Sequence, residues 1–166
     1  MATLTAIPQV TKPKPSSVLR IRMEELLMDF YSVVGVAPRR PYPVNAADLL
    51  ASDFEGQFFI QTTSELMVFS KAQMLASKVG RGELQRPTCQ MLSMSATREE
   101  DGVVGVIYAA AFRFGQTAQV RRGSFKAARE NGQWVLRSID EDVRLVFLPE
   151  VCKKRVAADR PRVWVL

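Results

Sequence analysis

The sequence predicts an α+β fold in which N-terminal helices pack on a curved antiparallel β-sheet. Two observations predict it. Apolar side chains in the first half of the chain recur at helical spacings, and the second half consists of long β-like runs separated by tight-turn dipeptides. The chain has 166 residues, a length that suits one domain better than two.

Residues 18–34 form the clearest predicted helix. Their apolar side chains recur every three or four residues and make one stripe: Leu19, Met23, Leu26, Leu27, Phe30 and Val34. Ser16 and Ser17 are N-cap candidates before this stripe, and Gly35 is the C-cap candidate after it. A curved sheet that wraps around this helix is the simplest way to bury the apolar faces of both.

Shorter elements follow the first helix. Three prolines predict an extended connection, after which Asn45 caps a short helix over residues 46–51 and residues 57–62 form a short strand. Residues 64–79 carry apolar side chains that suit either a strand or a helix. We expect a helix over 70–79, with a serine N-cap at its start.

Four β-like runs follow Pro87, at residues 88–98, 103–114, 117–129 and 133–139. The dipeptides Asp101-Gly102 and Asn131-Gly132 are typical of tight hairpin turns, and Gly115-Gln116 makes the third connection. We therefore expect a four-stranded antiparallel meander. Residues 143–148 either add a further strand or run along the sheet edge.

Charge and residue usage narrow the function classes. The formal net charge is +6, but residues 18–142 hold 15 basic and 15 acidic side chains and are neutral. A neutral body argues against a nucleic-acid groove and concentrates the positive charge at the two ends of the chain. His is absent, which removes the commonest zinc ligand and every Ser-His or Cys-His nucleophile pair. We expect no metal and no cofactor.

Three segments are predicted. Residues 1–17 form a Pro-rich disordered leader, residues 18–150 the α+β domain, and residues 151–166 a basic C-terminal tail. Apolar runs of signal-peptide or membrane-span length are missing, so we expect a cytoplasmic protein without membrane contact. Cys89 and Cys152 have no metal or redox spacing, and we expect both to be reduced, with the first acting as a small hydrophobe in a strand.

The order of elements and the last hairpin resemble the nuclear-transport-factor-2-like, cystatin-like superfamily, which includes ketosteroid isomerase, scytalone dehydratase and the polyketide cyclases. Asp29-Phe30-Tyr31 ends the long first helix, and the hairpin over residues 125–136 has a polar strand, an Asn-Gly turn and then Gln133-Trp134. The resemblance covers residues 18–142. It implies a cone-shaped pocket between sheet and helices, and it leaves the function open because the fold hosts both enzymes and binding modules.

The resemblance also implies polar side chains that face this pocket. The candidate ligand-binding residues lie near the first strand, on the first helix and on the later strands: Tyr31, Asp53, Tyr108, Arg113, Arg137 and Asp140. In an enzyme of this kind, Asp53 or Asp140 would act as the base. Tyr31 or Tyr108 would then be the hydrogen-bond donor. Each candidate also has a structural interpretation, as a turn-closing carboxylate, a packed aromatic ring or a solvated arginine.

Two adjacent arginines on the third long strand require an explanation. Successive strand residues face opposite sides of a sheet, so either Arg121 or Arg122 points toward the pocket or a partner sheet. That side chain needs an acidic partner. The candidates are Glu99, Glu100 and the acidic run at residues 140–142.

The residues favour a small-molecule-binding or dimerisation domain without an evident catalytic constellation. Small side chains at 109–111 and 127–128 suit a homodimer through the outer sheet face, and a methionine-rich interior suits a small hydrophobic ligand. One alternative is an isomerase-, dehydratase- or polyketide-cyclase-like enzyme, an isomerase or lyase that uses a pocket carboxylate and a Tyr. The other is an interaction module that docks an acidic partner through its basic C-terminus.

Overall fold

The computed structural model describes residues 17–76 and 88–147. These residues form three helices and six strands: α1 (Ser17–Val33), α2 (Ala46–Leu49), β1 (Leu50–Ile60), β2 (Glu65–Ser70), α3 (Lys71–Ala76), β3 (Thr88–Ala96), β4 (Val103–Phe114), β5 (Thr117–Glu130) and β6 (Gln133–Phe147). The fold is α+β, as the sequence predicts. The predicted basic tail and the predicted leader, apart from its last residue, lie outside the described residues.

The six strands make one open sheet in the order β2-β1-β6-β5-β4-β3. Strands β3 to β6 form the predicted antiparallel meander. The sheet is mixed rather than fully antiparallel, because β1 runs parallel to β6. A hairpin would force these two strands to be antiparallel. Because β2 to β5 lie between them in the chain, the connection is long enough for them to pair in parallel.

Strand β1 is longer than the sequence predicts. It begins at Leu50 instead of Gln57 and shortens the preceding helix to one turn. The register with β6 shifts between Leu50 and Glu55, and this irregularity breaks the simple alternation that marks a strand. The predicted N-cap of the short helix is confirmed, because the Asn45 side chain accepts from the amide of Ala47 at 3.1 Å.

The ambiguous segment after β1 is divided between two elements. Residues Glu65–Ser70 form the edge strand β2, and the helix occupies Lys71–Ala76. The predicted N-cap is confirmed, since the Gln73 amide donates to the Ser70 hydroxyl at 3.3 Å and the Gln73 side chain accepts from the Ser70 amide at 2.9 Å. The predicted helix end at residue 79 lies outside the described residues.

Strand β6 runs without a break through the acidic residues at 140–142. It joins the predicted strand at 133–139 to the segment that begins at residue 143. Asp140 and Asp142 are exposed on the outer face of the sheet, whereas Glu141 is buried on the inner face. From the sequence, the acidic run indicates the end of a strand, because no neighbouring residue in the chain identifies a counter-charge for the carboxylate of Glu141.

Helix α1 covers the inner face of the sheet. Met23, Leu27, Phe30 and Tyr31 are buried between them. The helix ends at Val33, and Gly35 follows two residues later with a positive φ of 80°, the left-handed conformation expected of a glycine that closes a helix. Within the described part of the chain, none of the helices is long and apolar enough to span a membrane.

Candidate functional site

A buried carboxylate lies at the centre of the fold. Glu141 is 1% exposed, and it is the one charged residue that is buried in the part of the chain that the structure describes. The hydroxyl groups of Tyr31 and Tyr108 both donate to its Oε1 atom. The Nη1 atom of Arg121 donates to its Oε2 atom at 2.9 Å. Three charge-assisted hydrogen bonds therefore compensate the loss of water around this carboxylate.

Adjacent strands bring the four side chains together. Tyr108 of β4 lies opposite Gly123 of β5, which in turn lies opposite Glu141 of β6. Because Gly123 has no side chain, the tyrosine and the carboxylate meet across the intervening strand. A Cβ atom at position 123 would overlap the backbone oxygen of Asp140. Tyr31 reaches the same carboxylate from the last part of α1.

Both tyrosines remain proton donors in this environment. Burial raises the pKa of Tyr31 and of Tyr108 well above the usual value, and the negative charge of Glu141 raises it further. Arg121 balances that negative charge, with the arginine side chain 13% exposed and the glutamate side chain fully covered. We name these four residues, Tyr31, Tyr108, Arg121 and Glu141, the buried polar cluster.

Arg121 is held on several sides. Its Nε atom donates to Oε1 of Gln119 at 2.8 Å. Its guanidinium carbon lies 5.7 Å from the ring centroid of Tyr31 and 5.6 Å from that of Phe112, both within cation–π range. The guanidinium group is therefore fixed before any ligand arrives, which lowers the entropy cost of binding to it.

Arg121 also lines a predominantly apolar cavity. Its volume is about 200 Å³. Nine apolar side chains and one arginine line it: Phe30, Val34, Val36, Phe58, Ile60, Met67, Phe69, Met74, Val143 and Arg121. Arg121 thus belongs to both the cavity wall and the buried polar cluster, and it is the residue that connects them.

A larger groove of about 1110 Å³ runs beside the first half of α1. Charged side chains of both signs line it, among them Arg22, Glu25 and Arg129, and the first two form an exposed ion pair. Groups that water already solvates contribute little to ligand binding. The small apolar cavity is therefore the better candidate for a specific site.

Two of the six predicted ligand-binding residues belong to the buried polar cluster, namely Tyr31 and Tyr108. Asp53 and Arg137 form an ion pair at 3.2 Å, with about half of each side chain exposed. Arg113 donates to the backbone oxygen of Gly115 at 3.2 Å. Asp140 is exposed. None of the six predicted residues, the two tyrosines included, is among the described residues that line the cavity.

The predicted ligand-binding residues do not include Arg121 or Glu141. The sequence indicates Glu141 only as one of several acidic partners for Arg121 or Arg122. The alternation of the strand could have identified Glu141. The side chains of Ile139 and Val143 face the core, and Glu141 lies midway between them, on the same face of the strand. Arg121 is the arginine of the pair that faces inward, while Arg122 is exposed.

Cys89 lies in β3, as expected, and is partly buried against the core. Burial raises the pKa of its thiol to about 12, so the side chain is a protonated, apolar group at neutral pH. Cys152 lies outside the described residues. Within residues 17–76 and 88–147, no three His, Cys, Asp or Glu side chains come together in a way that suits a metal ion.

Among known proteins, similar solved structures establish the fold. No protein-family model matches the chain, and no curated protein matches it. An NTF2-like protein of unknown function from Pseudomonas aeruginosa has a TM-score of 0.55 at 14% identity, over 75% of this chain and 97% of its own. A second one, from Silicibacter pomeroyi, has a TM-score of 0.53 at 12% identity, over 77% and 98%.

A third solved structure, an uncharacterised protein with a cystatin-like fold from Caulobacter vibrioides, has a TM-score of 0.51 at 9% identity. It covers 83% of this chain and 96% of its own length. Identities this low establish the fold and nothing about activity. The chain therefore has the NTF2-like, cystatin-like fold that its sequence resembles.

Proposed function

We propose that this protein binds a small, predominantly apolar molecule in the cavity beside Arg121. The observation that carries the proposal is a cavity whose wall is apolar except for Arg121, whose guanidinium group is held by Gln119 and Glu141. An apolar cavity of roughly 150 Å³ can hold a benzene molecule. The cavity here has about 200 Å³, so it has room for an aromatic ring with a short substituent.

The two parts of the wall have different roles in this proposal. The nine apolar side chains supply the driving force, because a bound apolar molecule removes their surface from water. Arg121 supplies orientation, because the polar end of the molecule finds a hydrogen-bond donor at a single point of the wall. Glu141 and Gln119 hold that donor in place.

Native mass spectrometry with a cavity-filling variant tests the proposal. Met67 lines the cavity and is 41% exposed, so Met67→Trp adds volume at the mouth with little demand on the core. Its neighbour Leu66 is 60% exposed and lies on the opposite face of the strand, which makes Leu66→Trp the matched control. We expect a small apolar molecule to bind the native protein and the control but not Met67→Trp. Equal binding by both variants would overturn the proposal.

The buried polar cluster also raises the alternative of an isomerase or lyase, with Glu141 as the base and a tyrosine as the donor. Two observations favour binding over catalysis. Glu141 is not among the residues that line the cavity, and its oxygens already accept three hydrogen bonds. A base must reach the proton that it removes, and its oxygen needs a free position to accept that proton.

We further propose that the protein forms a homodimer through the outer face of the sheet. Ile107, in the middle of β4, is 70% exposed. Its neighbours on that face are small: Gly105, Ala109, Ser95 and Ser124. Arg122 and Lys126 of β5 flank these small residues on the same face. A large exposed apolar side chain among small residues is well suited to burial against a second copy.

A further inference from the structure

Arg121 is the sole charged side chain among the described residues that line the cavity, and its charge is already balanced. The ion pair with Glu141 has a distance of 2.9 Å, and both tyrosines of the cluster are neutral. The buried polar cluster therefore has a net charge of zero. A ligand that carries its own charge would add an uncompensated charge to a site of low dielectric constant.

The buried polar cluster has more hydrogen-bond donors than its own acceptors engage. The Tyr31 and Tyr108 hydroxyl groups donate to Glu141. A guanidinium group has five N–H donors, of which Gln119 and Glu141 accept two. Within residues 17–76 and 88–147, no acceptor engages the others. Because no side-chain nitrogen there is both buried and unpartnered, the Nη2 atom of Arg121 has accessible surface, and Arg121 is one of the residues that line the cavity.

We propose that the ligand is an uncharged molecule with an apolar body and a carbonyl oxygen that accepts a hydrogen bond from Arg121. This inference rests on the proposed function and names the chemical class of its ligand. A carbonyl oxygen satisfies a free N–H group without bringing a charge into the cavity. A carboxylate would lie close to Glu141, and an ammonium group would lie against Arg121, so both meet a like charge.

Three probes of nearly the same shape test this inference: acetophenone, benzoate and α-methylstyrene. They have the same number of non-hydrogen atoms and differ at the polar end, which is a carbonyl, a carboxylate or a methylene group. Isothermal titration calorimetry on the native protein at neutral pH compares them. We expect acetophenone to bind about tenfold more tightly than α-methylstyrene, since one hydrogen bond to a charged donor has that magnitude. We expect benzoate to bind more weakly than acetophenone.

Each result has a distinct meaning. Tighter binding of benzoate than of acetophenone, or equal binding of acetophenone and α-methylstyrene, would overturn the ligand class and leave cavity binding intact. Absence of binding by all three probes would overturn the proposed function together with this inference. These titrations use only the native protein, so the result does not depend on whether a variant folds.

A charge-neutralising variant gives a second, independent readout. Glu141→Gln removes the counter-charge of Arg121 but leaves the residues that line the cavity unchanged. The cluster then carries a net positive charge, and the order of affinities should change so that benzoate binds more tightly than acetophenone. Asp142→Asn is the matched control on the exposed face and should keep the native order. An unchanged order in a folded Glu141→Gln variant would overturn the charge-balance argument.

Discussion

The hydroxyl oxygens of Tyr31 and Tyr108 lie 3.1 Å apart, although 77 positions separate the two residues in the chain. Both hydroxyl groups donate to one oxygen of Glu141, and Arg121 donates to the other. Helix α1 and strands β4, β5 and β6 are thereby joined around a single buried carboxylate. The polar groups satisfy one another, which is the condition for burying them.

Removal of the buried charge should destabilise the fold. We expect Glu141→Gln to lower the free energy of unfolding by about 3 kcal/mol, because Arg121 loses its counter-charge in a largely buried position. Asp142→Asn, one residue away on the exposed face, should change it by less than about 0.5 kcal/mol. Urea denaturation followed by circular dichroism measures both values. Equal effects of the two substitutions would contradict the burial of Glu141.

The glycine at position 123 should resist substitution. A Cβ atom there would overlap the backbone of Asp140, so Gly123→Ala forces β5 and β6 apart beside the buried polar cluster. We expect a loss of about 3 kcal/mol in the free energy of unfolding. Gly105→Ala is the control in β4, where the nearest atom to a Cβ is the Thr97 hydroxyl at 3.5 Å, an ordinary contact. If both variants were equally stable, the close approach at position 123 would be wrong.

Stability should fall at alkaline pH. The pKa of Tyr108 is raised above 10.0 in the folded protein, so the unfolded chain releases this proton at lower pH. The raised pKa of Tyr108 therefore stabilises the folded protein fully below pH 10, and this stabilisation is lost as the pH rises further. Tyr31 behaves in the same way, and Cys89, with a pKa of about 12 against a usual 9.0, extends the trend down to pH 9.

Urea denaturation between about pH 8 and about pH 11 checks this dependence. The Tyr108→Phe variant should show a shallower decline, because one raised pKa has been removed. Tyr31→Phe should also show a shallower decline, since the pKa of Tyr31 is raised as well. A native-like slope in Tyr108→Phe would show that the buried tyrosine does not control the alkaline transition.

Self-association should depend on Ile107. We expect Ile107→Lys to convert a dimer into a monomer, because it places a charge at the centre of the outer face. Ile21→Lys is the control, since Ile21 is also an isoleucine and is 56% exposed, but it lies on α1 and not on the outer face of the sheet. Size-exclusion chromatography with light scattering measures the mass of each variant. A native protein that is monomeric at micromolar concentration would contradict the dimer.

Periodicity and turn dipeptides were sufficient to predict α1 and the four-stranded meander. They failed where long-range contacts decide the structure. The start of β1 is obscured because a register shift between Leu50 and Glu55 breaks the alternation. The path of β6 through residues 140–142 depends on Arg121, which lies on the neighbouring strand and neutralises the middle carboxylate.

The same reason limits the prediction of the site. Tyr31 and Tyr108 were predicted because the resemblance implies polar side chains, a tyrosine donor among them, that face the pocket. Only one of the three consecutive acidic residues contacts these tyrosines. The register of β6 decides which one faces inward, and the pairing of Gly123 with Glu141 fixes that register. Asp53 and Arg137, which the sequence also indicated, are instead joined to each other near the surface.

Methionine methyl resonances test the central claim, that the cavity beside Arg121 is the binding site, most directly. Met67 and Met74 line the cavity, whereas Met23 and Met94 are buried and are not among its lining residues. In protein with ¹³C-labelled methionine methyl groups, titration with acetophenone should shift the resonances of Met67 and Met74 and leave those of Met23 and Met94 in place. Shifts confined to other methionines, or none at saturating ligand, would contradict the account.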